Sequence, residues 1–139
     1  MVGKTIETIN VGDRASFTKT LTETDVYLFA GISGNLNPAY VNQIEAEKTM
    51  FKCRICHGIL ISSLISTVLG MYLPGPGTIY LSQDLKFVAP VKIGDTVTAT
   101  VEVIERNEER NRLILKTVVI NEDGKVVVEG QAEVMPLKK

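Results

Sequence analysis

The stretch Phe29–Tyr40, FAGISGNLNPAY, has the frame of a catalytic loop: a helix tail, a Ser-Gly break, then polar residues at tight spacing closed by Asn-Pro. The two positions at which a proton-transferring pair would be sought hold Asn35 and Tyr40. An amide has no useful basicity, so Asn35 can orient a water but cannot take its proton. A tyrosine titrates near 10, so the Tyr40 hydroxyl can donate and is a poor base at neutral pH. The same residues also suit plainer roles: Asn35 and Asn37 as turn residues after a helix, and Tyr40 as a packed aromatic.

A second chemistry-bearing run is CRICH, Cys53 to His57, which holds both cysteines and the one histidine of the chain. C-x-x-C-H is the spacing of covalent haem attachment. That attachment normally requires export, and MVGKTIETINVGDR lacks the apolar core of a signal peptide. Two thiols and one imidazole also fall short of a four-ligand zinc site. Neither metal nor cofactor is expected, and the cysteines read as small apolar residues leading into a buried helix. His57 beside a helix start reads as structural or as a surrogate acid–base group, since its ordinary pKa suits that task.

The elements that position these residues follow from periodicity. Thr22-Glu-Thr-Asp25 resembles a capping box and opens a short helix over 24–31, ended by Gly31 and Gly34. A second short helix is expected over Gln43–Thr49. The third runs from about Cys56 to Tyr72 and is apolar nearly all round, so it should be surrounded by protein. LPGPG (73–77) stops it with two prolines and two glycines. From Thr78 the period changes to two. TIYLSQDLKFVA places Ile79, Leu81, Gln83, Leu85 and Phe87 on one face, and 96–105, 112–121 and 125–134 read as further strands. Gly94-Asp95 and Asp123-Gly124 supply turns, and the short links predict an antiparallel meander of four strands. A strand over Arg14–Thr20 makes five. A five-stranded antiparallel sheet with one long apolar helix is most economically satisfied by curling the sheet around that helix, in an α+β architecture.

The 139 residues suit a single domain, and 45% hydrophobic content marks a compact globular chain. A net charge of −1 without a basic block disfavours nucleic acid. The longest apolar run, residues 59–73, is shorter than a membrane span and carries three Ser and a Thr. No membrane partner is therefore expected, and a cytoplasmic setting is.

With these elements in place, SGNLNPAY, the run FKCRICHG (51–58) and GTIYLSQDLKFVAPVKIGDTV (77–97) resemble the MaoC-like dehydratases, and among them the (R)-specific enoyl-CoA hydratases of hot-dog fold. Gln83, Phe87, Pro90, Val91 and Gly94-Asp95 fall in that family's order, and the resemblance spans about Val11 to Val134. Its hydratase motif reads Ser-Gly-Asp-x-Asn-Pro-x-His. Ser33, Gly34, Asn37 and Pro38 match, whereas Asn35 replaces the Asp and Tyr40 the His. The resemblance implies an acyl-CoA thioester as substrate or ligand, a Gly58 backbone N–H as donor to the thioester oxygen, Ser66 as the supporting hydroxyl, and a homodimer joined at a sheet edge. It implies reversible hydration of trans-2-enoyl-CoA to (R)-3-hydroxyacyl-CoA, with activity weakened or lost because the acid–base pair is substituted. Two alternatives stay open: a non-catalytic acyl-CoA-binding or sensor module, and an acyl-CoA thioesterase.

Overall fold

The computed structural model describes residues 2–139. After a turn of 3-10 helix at Ile6–Thr8 come β1 (Arg14–Thr20), α1 (Glu23–Ser33), α2 (Pro38–Val41), α3 (Gln43–Glu47) and α4 (Gly58–Met71). The strands β2 (Ile79–Phe87), β3 (Thr96–Asn107), β4 (Arg112–Asn121) and β5 (Val126–Met135) complete the chain. All five strands form one antiparallel sheet in the order β1-β3-β4-β5-β2. The α+β arrangement of one five-stranded sheet around one apolar helix is as the sequence predicts.

The period-two pattern explains the central strands. Val97, Ala99, Val101 and Val103 of β3 are all buried, with Leu113, Leu115 and Val119 of β4 beside them. They share one core with Ile61, Ile65 and Val68 of α4. At about 25 cal/mol per Å² of apolar surface, each such Val, Leu or Ile side chain contributes roughly 1.5–3 kcal/mol when fully buried. The outer face of β1 and β3 is instead lined by hydroxyl pairs, Ser16–Thr100, Thr18–Thr98 and Thr20–Thr96, at 2.7–2.8 Å.

Three features differ from the sequence reading. First, β2 does not continue a four-strand meander. It lies at the far edge against β5, and only β3, β4 and β5 are consecutive neighbours. The segment 88–95 must therefore cross the end of the sheet. On its way it passes the start of α4, where Cys56 N–H donates to the Val91 carbonyl at 2.7 Å. Second, a register shift between Tyr80 and Ser82 breaks the expected alternation of β2. Beyond it Gln83, Leu85 and Phe87 keep one phase, and Gln83 Nε2 donates to the buried Thr117 hydroxyl at 2.9 Å. Third, α4 is not enclosed on every side. Ile59, Ser63 and Ser66 are exposed, at spacings of four and three residues that form one helical stripe.

Candidate functional site at the start of helix α4

Local chemistry builds the loop that precedes α2. Thr22 caps α1 reciprocally with Asp25: the Asp25 N–H donates to Thr22 Oγ1 at 3.1 Å and Thr22 N–H to Asp25 Oδ2 at 2.9 Å. Gly34 ends the helix with φ of 79°, the left-handed region in which a side chain is disfavoured. A relay of side chains then holds the loop. Ser33 Oγ accepts from Asn35 N–H at 3.2 Å, Asn35 Oδ1 from Asn37 N–H at 3.3 Å, and Asn37 Oδ1 from Ala39 N–H at 3.0 Å. Pro38 opens α2, where its missing N–H costs nothing. The turn roles available to Asn35 and Asn37 in the sequence are thus filled.

His57 joins this loop to α4. It is the residue before the first turn of α4 and is 2% exposed. Its Nε2 lies 3.0 Å from the Asn35 carbonyl. A carbonyl can only accept, so Nε2 carries a proton. Nδ1 is buried with no hydrogen-bond partner among the described residues. The ring lies between two aromatics, with centroids 3.9 Å from Tyr40 and 4.9 Å from Phe29.

A cavity of about 580 Å³ opens beside this cluster, within the usual size of a small-molecule site. Tyr40, Gly58, Ile59, Phe87 and the 88–91 crossover contribute to its wall, which is mostly apolar. Tyr40 and Gly58 therefore share one cavity. His57 is not among the residues lining it, and lies behind the Tyr40 ring. Gly58 is the first residue of α4, so its N–H belongs to the unpaired donors of a helix start. The Phe87 ring fills the space where a side chain would be: a Cβ at residue 58 would come within 2.7 Å of it. Asn35 is exposed, next to the cluster through its carbonyl bond to His57. Ser66 lies two turns along α4 on the exposed stripe, and makes no hydrogen bond to Asn35 among the described residues.

The sequence reading missed Arg54. Its guanidinium donates to Glu23 Oε1 at 2.6 Å, Tyr27 Oη at 2.7 Å and Gln43 Oε1 at 3.1 Å. One side chain thus ties α1 and α3 to the turn that leads into His57 and Gly58. The Arg54 hydrogen bond, with that of Tyr27, holds the Glu23 carboxyl below its ordinary range. An arginine inside the otherwise apolar CRICH run was the available signal. The cysteines have an inert setting: burial, reinforced by Asp95 and Asp25, pushes the Cys56 thiol up to about 12. No group of three His, Cys, Asp or Glu suited to a metal ion occurs among the described residues.

The MaoC-like domain family matches residues 7–126. The chain belongs to that family. Among its relatives is the (R)-specific enoyl-CoA hydratase of Rhodospirillum rubrum, 54% identical over 129 residues that cover 93% of this chain and 89% of the relative. The 3-hydroxybutyryl-CoA dehydratase of Methylorubrum extorquens is 44% identical over 133 residues, covering 96% of this chain and 84% of its own length. The fold is that of the family's solved structures. An R-hydratase from Pseudomonas aeruginosa, in its unliganded form, superposes with a TM-score of 0.94 at 42% identity, covering 99% of this chain and 88% of that one. The MaoC-like, hot-dog architecture expected from the sequence is therefore established, and no helix among the described residues is long and apolar enough to cross a membrane.

Proposed function

We propose that this MaoC-like protein binds acyl-CoA thioesters in the cavity at the start of α4, and that its hydration of trans-2-enoyl-CoA is weakened at proton transfer. The observation that carries the reading is the shared wall of one apolar cavity: Gly58 at the first turn of α4 and Tyr40 on α2, with Asn35 beside them. Hydration adds hydroxide to C3 and a proton to C2 of the enoyl group. The thioester oxygen gains charge as C3 is attacked, and a helix-start N–H at Gly58 stabilises it. Taking a proton from water is the step these residues serve poorly, because an amide has no basic form at neutral pH and a phenol hydroxyl is a poor base.

The same accounting ranks thioester hydrolysis last, since a water attacking the carbonyl also needs a base. A homodimer fits the surface of the chain. The edge strand β2 exposes Ile79, Tyr80 and Leu81, and the α4 stripe exposes Ile59 beside Ser63 and Ser66. An unpaired apolar edge of this kind calls for a partner, and a second copy pairing β2 with β2 supplies one. Crotonyl-CoA tests the function directly. Saturable binding, seen as a rise in melting temperature, with slow loss of the enoyl absorbance is expected. Binding with no turnover makes the protein a binding module. Absence of any shift with acetyl-, butyryl- and crotonyl-CoA at saturation overturns the reading.

A further inference from the structure

We infer that His57 is a positioning residue of this site, acting on a bound thioester through the ring of Tyr40; the inference rests on the acyl-CoA reading above. It starts from an asymmetry in how the two rings are held. Tyr40 lines the cavity, yet little of its own structure anchors it. It sits on α2, a single turn of four residues with none buried, and so short a helix is marginal by itself. The hydroxyls of Tyr27 and Tyr80 have hydrogen-bond partners, whereas that of Tyr40 has none among the described residues. The backbone of α2 reaches the turn before α4 through one long bond, from the Ile55 N–H to the Ala39 carbonyl at 3.4 Å.

His57 is fixed from several directions. Its carbonyl accepts from the N–H of Ile61, a core residue of α4, at 3.2 Å. Its Nε2 is bonded to the Asn35 carbonyl, and its ring is packed against Phe29 of α1. Against this fixed ring the Tyr40 ring stacks at 3.9 Å between centroids, with 29° between the planes. The dependence therefore runs from His57 to Tyr40. At 2% exposure and outside the cavity lining, His57 touches no ligand there. It supplies the face against which that wall is built. Without this backing, other staggered χ1 positions are open to Tyr40, and the wall is lost with them.

The donor and the face of the imidazole can be separated. Glutamine at position 57 keeps an amide donor and removes the face; phenylalanine keeps the face and removes the donor. Calorimetric titration with butyryl-CoA, with CoA alone as reference, tests the inference beside the melting temperature of each free protein. His57→Gln is expected to weaken butyryl-CoA at least about threefold, within the range of one aromatic pair. His57→Phe is expected to recover most of that affinity, even where its melting temperature is the lower of the two. In a Tyr40→Leu background the same His57→Gln change should alter affinity by less than about twofold, because the ring it acts through is gone. Unaltered affinity in His57→Gln, or equal losses with and without Tyr40, overturn the inference and leave the acyl-CoA reading standing. So does a folded His57→Phe that binds no better than Tyr40→Leu, a comparison that also decides the matter should His57→Gln fail to fold. If butyryl-CoA binds the unsubstituted protein no better than CoA alone, the inference and that reading fall together.

Discussion

The loop from Ser33 to Asn42 and the turn from Arg54 to Gly58 are joined by His57 Nε2 on the Asn35 carbonyl at 3.0 Å, by the Tyr40–His57 stack and by the Ile55 N–H on the Ala39 carbonyl, yet they carry their chemistry in opposite ways. In the loop the scaffold is closed by the Ser33–Asn35–Asn37 relay, while the side chains at positions 35 and 40, which are proposed to face the substrate, offer no base. In the turn the group proposed to act is backbone, the N–H of Gly58, and any side chain added at that position meets Phe87. Chemistry supplied by side chains can be exchanged residue by residue. Chemistry supplied by a helix start persists for as long as the helix is held in place.

The largest expected effect sharpens the loop side of this contrast. Asn35→Asp with Tyr40→His should raise crotonyl-CoA hydration by at least ~10²-fold, the low end of what one positioned acid or base supplies. Each single replacement should recover little, because the two act as a unit. Equal rates in the unsubstituted chain and the double variant would sink the assignment and make His57→Gln the next variant to assay.

On the turn side, Gly58→Ala should displace the Phe87 ring, which a Cβ would approach to 2.7 Å, and abolish the melting shift given by butyryl-CoA. The overpacking itself should cost about 1–3 kcal/mol. Adding Phe87→Leu should restore part of the shift. Full retention of the shift in Gly58→Ala would show that the ligand lies elsewhere.

Arg54→Met should have a smaller effect, lowering the melting temperature by a few degrees and weakening ligand shifts without abolishing them. The effect should depend on pH with a definite sign. The Arg54 hydrogen bond holds the Glu23 carboxyl below its ordinary value, so the unfolded chain binds the proton more readily. That stabilisation is present above about pH 4.3, the ordinary glutamate value, and is lost as the pH falls through the lower folded value. The gap between the two proteins should therefore narrow on acidification, and a gap that widens there refutes the clamp. The smallest effect is expected from Cys53→Ala with Cys56→Ala, which should leave the butyryl-CoA shift unchanged. Stoichiometric zinc or a haem absorption band on the unsubstituted protein would contradict it.

Much of this was readable from sequence because it is local. The capping box at Thr22, the apolar run of α4 and the alternation of β3 each declare themselves over a short stretch of chain. The SGNLNPAY frame was readable for the same reason, since its hydrogen bonds span two or four residues. The place of β2 was not. Its partner β5 begins only at Val126, beyond β3 and β4, and nothing in the alternation of 78–89 distinguishes pairing with β3 from pairing with β5. Alternation with short links places β2 next to β3, which makes 88–95 a simple link, whereas its pairing with β5 makes residues 88–91 a wall of the cavity. Arg54 was hidden likewise: its partners Glu23, Tyr27 and Gln43 are 11 to 31 residues away. The open stripe on α4 is not legible in the sequence, because serine in an apolar helix looks the same whether or not the helix is covered.

The placement of β2 also bears on how the chain assembles. Strands β3, β4 and β5 are joined by tight turns and can form as a local unit. The two edges cannot: Arg14 of β1 pairs with Glu102, and Ile79 of β2 with Met135. Each of those pairings closes a long stretch of chain, and the entropy of closure is met before any contact rewards it. The three-stranded unit is thus the most local part of the sheet, and both edges depend on pairings between residues far apart in sequence. Two walls of the cavity, Phe87 and the crossover behind it, belong to the β2 edge, so the binding site depends on a long-range pairing and not on the local unit alone.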